Sequence, residues 1–330
     1  MTSSVNIPST NLIVSSICLG TGGFGTSIGR DDAFRMLDTF FELGGAFIDT
    51  AHVYGDWDAS VLRSASERVI GEWMRERGVR DQVVLATKGA HWFLDKPDVP
   101  RLSRQDIDDD VAGSLEALRT DRIDLYWLHR DDPERDVEDI MQTLARHKAS
   151  GAIRYCGASN WKPVRIRAAQ DAAGKLGFAG FVADQSLWNA GVPVGPPFGD
   201  VTTTWMDDEA FAYHLETGMA AIPYQSQAYG LFKRMYEGTL DQMNAGLRAY
   251  YKPEETEQRY DRMRIVMDES GLTITQVTLA YLTSQPFTTV PIVGCRNCEQ
   301  LADSMTALSV RLTPEQTHFI RTGERPGFSL

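Results

Sequence analysis

Cysteine is scarce in this sequence. Cys18, Cys156, Cys295 and Cys298 are the only four in 330 residues, and their spacing gives no disulfide framework. Cys295 and Cys298 form a C-x-x-C, but no second pair accompanies it, as a zinc site would need, and it does not open a thioredoxin-like βαβ unit. Ordinary thiols in a reducing compartment are the expectation. The six histidines are scattered. No apolar run approaches the ~18 residues that cross a bilayer. Met1 to Pro8 is polar and lacks the apolar centre of a signal peptide, so the cytoplasm is the expected location. An excess of basic residues is also missing. Lys and Arg number 33 against 45 Asp and Glu, a formal charge of −12. That balance argues against a broad nucleic-acid or anionic-membrane surface while leaving room for a local phosphate pocket. Low-complexity tracts and composition breaks are absent, and nothing repeats beyond a rhythm of short elements.

What is present is an ordinary globular composition, 42% hydrophobic and 24% charged, with strand and helix patterns in alternation. Strand-like runs are expected at Ser16–Leu19, Phe47–Asp49, Val83–Thr87, Ile123–Leu128, Ile153–Ala158, Phe181–Gln185, Met219–Pro223 and Thr289–Val293. Helical periodicity lies between them, at Asp31–Leu43, Ser66–Arg77, Gln105–Leu118, Val137–His147, Pro163–Ala173 and Asp207–Glu216. A long, mostly helical region from about Leu240 to Ser284 and a last helix at Cys298–Ala307 complete the pattern. Ser103 is placed to cap one helix, with Asp106 three residues on. Eight βα units predict a single α/β domain over residues 1–330, a (β/α)8 TIM barrel with its catalytic loops at the C-terminal face. The longer loops His91–Arg101 and Ala190–Thr204 follow strands three and six, on that face.

Polar residues stand where the apolar strands stop. Asp49 ends strand two, Lys88 strand three and His129 strand four. Ser159 and Asn160 end strand five, Gln185 strand six and Tyr224 strand seven. Taken singly, each has a bland reading as a solvated or capping side chain. In a barrel every one of these ends opens on the same rim, so they form one candidate site. Tyr54, five residues after Asp49, is a candidate proton donor. A tyrosine's ordinary pKa near 10 is high for that task, and a neighbouring ammonium such as Lys88 favours the phenolate. Asp49 can hold Lys88 protonated, and His129 can orient a substrate oxygen or help pass a proton. This set suits protonation of an alkoxide formed from a carbonyl. It has no nucleophile of its own, so the electron pair must come from a hydride carrier such as a nicotinamide.

The chain resembles the aldo-keto reductase family over nearly its whole length. The resemblance rests on Leu19-Gly20-Thr21-Gly22, Ile48-Asp49-Thr50-Ala51 with Tyr54-Gly55, Thr87-Lys88-Gly89, Asp124-Leu125-Tyr126-Trp127-Leu128-His129, Gly157-Ala158-Ser159-Asn160-Trp161 and Gly294-Cys295-Arg296 with Glu299-Gln300-Leu301. It implies a (β/α)8 barrel, a catalytic tetrad of Asp49, Tyr54, Lys88 and His129 with the tyrosine as general acid, extended NADPH, and no metal. Ser159, Asn160 and Gln185 would hold the nicotinamide amide. Thr21, Gly22, Asp49, Tyr224, Ser226, Gln227, Gly230, Leu231, Gly294, Arg296, Gln300 and Ser304 would line the rest of the cofactor. Gly294 permits close backbone approach, and Arg296 offers a charged fork for a 2′-phosphate, which favours NADP over NAD. Three places depart from the family pattern. Trp188 is the nearest match to the aromatic that stacks on the nicotinamide. Tyr224-Gln225-Ser226-Gln227 is more polar than the usual stretch after strand seven. Asp303-Ser304 replaces a Glu-Asn pair near the adenine.

Other readings compete. Gly20-Thr21-Gly22-Gly23-Phe24-Gly25 fits G-x-G-x-x-G after a strand, yet the next helix begins only near Asp31, against a dinucleotide fold of the Rossmann type. A metal-dependent hydrolase would want clustered ligands at the end of strand one, where the chain has glycines. A non-catalytic cofactor-binding partner or redox-sensing module on the same barrel is a further alternative. Phe24, Trp57, His91, Trp92 and Trp161 are candidate pocket walls, each equally readable as packing. With Arg130, Asp131 and Asp132 beside His129, they suggest a sugar or cyclic polyol as the small-molecule substrate. The tail Arg321–Leu330 either covers the pocket or lies free, and oligomeric state has no signature.

Overall fold

The computed structural model describes residues 4–97, 99–196 and 199–325. A hairpin comes first: β1 (Ser4–Asn6) and β2 (Ile13–Ser15) pair antiparallel, Val5 opposite Val14. Three-residue strands are too short to display a period of two, which is why this element is not among those expected. The barrel strands then follow one another around the ring. They are β3 (Cys18–Gly20), β4 (Phe47–Asp49), β5 (Val84–Gly89), β6 (Ile123–Leu128), β7 (Ile153–Ser159), β8 (Phe181–Gln185), β9 (Ala220–Ala221) and β10 (Ile292–Gly294), each parallel to its neighbour. β10 pairs with β3, Ile292 opposite Cys18. On its other side the N–H of Val290 donates to Ala221 O and that of Ile292 to Pro223 O, both 2.9 Å, which closes the ring. The fold is a (β/α)8 barrel.

The main connections are helical: α1 (Arg30–Glu42), α2 (Ala65–Arg77), α3 (Arg104–Leu118), α4 (Val137–Ser150), α5 (Pro163–Lys175) and α6 (Asp208–Thr217). Each presents an apolar stripe to the sheet. In α1 the stripe is Phe34, Leu37 and Phe40, all buried, and such side chains contribute roughly 1.5–3 kcal/mol each when fully buried. The expected cap of α3 is a full capping box. Ser103 Oγ accepts from the Asp106 N–H, and the Asp106 carboxylate accepts from the Ser103 N–H. The interior of the barrel is filled by Phe47, Ala86, Leu125, Trp127, Val182 and Val290. Ile7, Leu12 and Val14 join this cluster from the hairpin. They sit beside Cys18 and Phe47, the first residues of their strands, so the hairpin plugs the N-terminal mouth and leaves the C-terminal rim open.

The last third differs most from expectation. The helical region Leu240–Ser284 is several pieces: α7 (Leu231–Glu237) precedes it, then come α8 (Ala245–Ala249), α9 (Pro253–Ser270) and α10 (Ile274–Thr283). Pro253 starts α9 at a position where its missing N–H costs nothing, and Gly271, at φ 70°, ends it. α11 (Cys298–Met305) matches expectation, whereas α12 (Pro314–Thr322) does not appear there. Its signal is Thr313, Pro314 and Gln316: Thr313 and Gln316 form another capping box, with proline in the first turn. Of the C-terminal tail, residues 326–330 lie outside the described residues. Among the described residues, no helix is long and apolar enough to cross a membrane.

Candidate active site

Parallel register brings the polar strand ends together. Gly20 pairs with Asp49, Lys88 with Trp127, and Ser159 with Gln185. Beyond β4 the chain stays bonded to β5: Thr50 N–H donates to Ala86 O at 3.0 Å and His52 N–H to Lys88 O at 2.9 Å. It then turns, with Tyr54 N–H on Ala51 O at 3.0 Å, which aims the phenol back over the barrel. The turn is braced from below. Glu67 is fully buried, accepts from Thr87 Oγ1 at 2.6 Å, and pairs with His52 Nδ1 at 3.0 Å. Burial opposes a charge on His52, but the Glu67 hydrogen bond and charge outweigh it, and the imidazole pKa is raised. Glu67 was not anticipated. The available signal was its place on the buried face of α2, in line with Ile70 and Met74.

Lys88 is at the centre, 1% exposed. Its ammonium donates to Asp49 Oδ2, to Thr50 O at 2.7 Å and to the Tyr54 hydroxyl oxygen at 3.4 Å. Three N–H groups thus meet three acceptors. Burial alone would lower the Lys88 pKa, but Asp49 and Tyr54 together raise it, so the side chain stays a cation. Because the Tyr54 oxygen accepts from Lys88, its own proton is free to point into the cavity. Gln185 Nε2 donates to Asp49 Oδ1 at 3.0 Å and holds the carboxylate from the far side.

His129 faces Tyr54, ring centroids 6.0 Å apart, and His91 packs edge-on to His129 at 4.7 Å. Burial first, then the nearby His91, Arg130 and Lys88, hold the His129 pKa well below its usual value. Burial and Arg130 push His91 down to about 4. Both rings are neutral near pH 7. A neutral imidazole can donate one hydrogen bond and so orient an oxygen. His91 Nδ1 lies 2.8 Å from the Trp92 carbonyl, so this nitrogen carries the proton.

Ser159, Asn160, Gln185 and Tyr224 form one network. Ser159 Oγ donates to Gln185 O at 2.9 Å, Asn160 Nδ2 to Ser159 Oγ at 3.1 Å, and the Tyr224 hydroxyl to Asn160 Oδ1 at 2.9 Å. Thr204, from the loop after β8, adds its N–H to Asn160 Oδ1 at 3.2 Å, a contact no sequence pattern indicates. Left-handed backbone at non-glycine residues gathers on this rim, at Ala90, Asn160, Gln225, Ala228 and Tyr229. Such strain persists only where surrounding structure enforces it.

At the next strand ends, Ser226 Oγ donates to Ile292 O at 2.6 Å, and Gln227 Nε2 to Ser304 Oγ at 3.1 Å. Gly230 is left-handed, with open space where a Cβ would stand, and Gly294 is likewise open. Arg296 is exposed, and its guanidinium lies within salt-bridge distance of no carboxylate among the described residues. Its N–H donates to Gln300 Oε1 at 3.0 Å. Thr21 Oγ1 is spent on Asp49 O at 2.9 Å, and Gly22 lies against the Tyr54 ring, where a Cβ would stand 3.9 Å from Cε2.

Several expected site residues lie elsewhere. Trp188 is packed against Phe211, Tyr281 and Phe287; the aromatic joined to Asn160 is Tyr224. Trp161 is 1% exposed, edge-on to Phe181, with its N–H on Arg130 O at 3.2 Å. Phe24 is 1% exposed, in the core with Phe34 and Leu37. The Leu231 side chain is buried beside Phe232, leaving its backbone as the part that can meet a ligand. Trp92 remains at the cavity beside Lys88 and His91. Asp131 is gripped by Arg165 at 3.0 Å, and Arg130 by Asp200 at 3.2 Å. Among the described residues, no group of three or more His, Cys, Asp or Glu could share a metal ion.

A closed barrel with this rim defines a class, and sequence comparison agrees: residues 16–322 match the aldo/keto reductase family, and the chain belongs to it. Relatives extend over nearly its full length. It is 30% identical to an uncharacterized oxidoreductase, YrpG, of Bacillus subtilis, covering 93% of this chain and 91% of that one. It is 31% identical to an NADP(+) aryl-alcohol dehydrogenase of Phanerodontia chrysosporium, over 95% of this chain and 83% of that one. It is also 31% identical to norsolorinic acid reductase B of Aspergillus parasiticus, over 97% and 84% respectively.

Proposed function

We propose that this oxidoreductase reduces an aldehyde or ketone to an alcohol with NADPH, or runs the reverse oxidation, with Tyr54 as general acid and base. When bound, the nicotinamide supplies or accepts the hydride. The carrying observation is the Lys88 ammonium, fixed on Asp49 and Thr50 with its third N–H on the Tyr54 oxygen. That charge stabilises the phenolate oxygen as its proton leaves for the substrate. Neutral His129 donates to the substrate oxygen and sets its distance from Tyr54. Ser159, Asn160 and Gln185 would hold the carboxamide by exchanging bonds they now make with one another, and Tyr224 would lie beside it. The bent backbone from Gln225 to Gly230, left-handed at Gln225, Ala228, Tyr229 and Gly230, is where a pyrophosphate would lie. Arg296, without an acidic partner among the described residues, suits a 2′-phosphate and so NADP.

A planar aromatic carbonyl is the substrate class the rim supports best. Trp57 is 54% exposed beside Tyr54, and Trp92 stands beside His91. Of the charged residues behind the polyol reading, Arg130, Asp131 and Asp132, the first two are engaged by Asp200 and Arg165. Two relatives are named for aryl alcohols and for norsolorinic acid. The test is NADPH oxidation against aromatic aldehydes, aliphatic aldehydes and sugars. Aromatic preference is expected, together with loss of turnover but retained NADPH binding in Tyr54→Phe. Sugar preference, or an active Tyr54→Phe protein, would refute the respective halves.

A further inference from the structure

A second cavity, about 370 Å³, lies outside the catalytic rim. The chain following β8 forms one side, and the starts of α6 and α9 with parts of α10 and α12 form the other. None of Asp49, Tyr54, Lys88 or His129 lines it. Its volume falls among small-molecule pockets, which run roughly 300–1,000 Å³. Four aromatic residues line it, Trp188, Trp205, Phe211 and Tyr281, with the Arg321 guanidinium over the Phe211 ring at 3.7 Å. Three cations also line it, with Asp207 and Asp208 as the acids. Lys252 pairs with Glu255 at 3.4 Å and Arg321 with Asp208 at 2.8 Å. Asp207 caps α6, accepting from the Ala210 N–H at 2.8 Å. Arg259 is different: its guanidinium donates to the Ala190 carbonyl at 3.2 Å and has no carboxylate in salt-bridge range among the described residues.

An aromatic-walled cavity holding an arginine without an acid is a receptor for a flat anion. Rings accept a flat ligand edge-on or face-on, and a guanidinium takes a carboxylate through two parallel hydrogen bonds. We infer that this cavity binds a small aromatic carboxylate, with its ring against Trp188 and Trp205 and its carboxylate on Arg259. The site is independent of the proposed reaction. Its wall is joined by backbone to the catalytic rim, since Trp188 N–H donates to Tyr224 O at 3.4 Å and Leu187 N–H to Thr204 O at 3.1 Å.

Isothermal titration of the full chain with 2-naphthoate, and with 2-naphthamide as the uncharged analogue, tests it. Saturable binding of the acid is expected, weakened about tenfold or more in Arg259→Met and less in Arg259→Lys, which keeps the charge. Binding should persist in Tyr54→Phe, which separates this cavity from an anion seated at the catalytic tyrosine. Met206→Trp, which adds bulk to the cavity wall and leaves Arg259 in place, should weaken binding and covers the case of a misfolded Arg259→Met. The proposal falls if the wild-type protein does not bind 2-naphthoate, if the amide binds as tightly as the acid, if Arg259→Met or Met206→Trp binds unchanged, or if Tyr54→Phe removes binding.

Discussion

At the scale of single residues, the chemistry depends on a buried cation having all its protons assigned. Lys88→Met removes that cation and leaves Asp49, 2% exposed and with its pKa already raised by burial, without its ion-pair partner and held by Gln185. Breaking a buried pair in this way costs about 3–5 kcal/mol. Urea unfolding should show that loss, and turnover should vanish with it. Tyr54→Phe removes the hydroxyl and with it only the long 3.4 Å contact to Lys88, so stability should change little while kcat falls about 10²–10⁴-fold, the usual weight of general acid catalysis. The two histidines set an acid limb. His91 and His129 are held below their ordinary value in the fold. As pH falls below about 6.5 the unfolded chain takes up protons that the native protein refuses, so stability declines toward His91's value of about 4. His52 runs the other way: its raised pKa gives stability that is full below about 6.5 and fades as pH climbs through the folded value. A His91→Asn/His129→Asn protein should therefore lose less stability than wild type between pH 7 and pH 5, measured by urea midpoints.

At the scale of elements, helix caps and a close strand contact matter most. The α3 capping box predicts a loss of about 1 kcal/mol for Ser103→Ala. Gly157 in β7 is a sharper case, because a Cβ there would stand 2.4 Å from the Trp127 ring. Trp127 fills the barrel interior close to the level of Lys88, its strand partner. Gly157→Ala should cost about 1–3 kcal/mol by overpacking, shift the tryptophan emission, and lower kcat through a displaced Lys88. Normal emission and activity in that variant would show that the tryptophan yields without consequence.

For the whole molecule, a cofactor lying across β7 to β10 would bridge the last strands to the first. Any ligand that binds only the folded state stabilises it by RT ln(1 + [L]/Kd), about 2.7 kcal/mol at one hundred times Kd. NADPH should raise the unfolding midpoint more than NADH at equal concentration. Arg296→Ala should erase the difference between them, and equal effects of both cofactors on the wild-type protein would remove the case for a 2′-phosphate site.

Much of this was legible in the order of residues. The strand runs Phe47–Asp49, Ile123–Leu128 and Phe181–Gln185 agree with the observed strands to the residue. Their polar ends mark the rim, because a parallel barrel leaves no choice about which ends share a face. Hydrophobic period and strand-end chemistry are local, and a sequence displays what is local. It could not display which tryptophans reach the catalytic rim: Trp161 and Trp188 are packed against neighbours far along the chain, Phe181 and Phe287 among them. Nor could it show that Arg130 and Asp131 already have partners, that Thr204 reaches Asn160, or that Arg259 lacks an acid among the described residues. Those facts depend on side chains brought together across the barrel, where distance in space no longer follows distance in sequence.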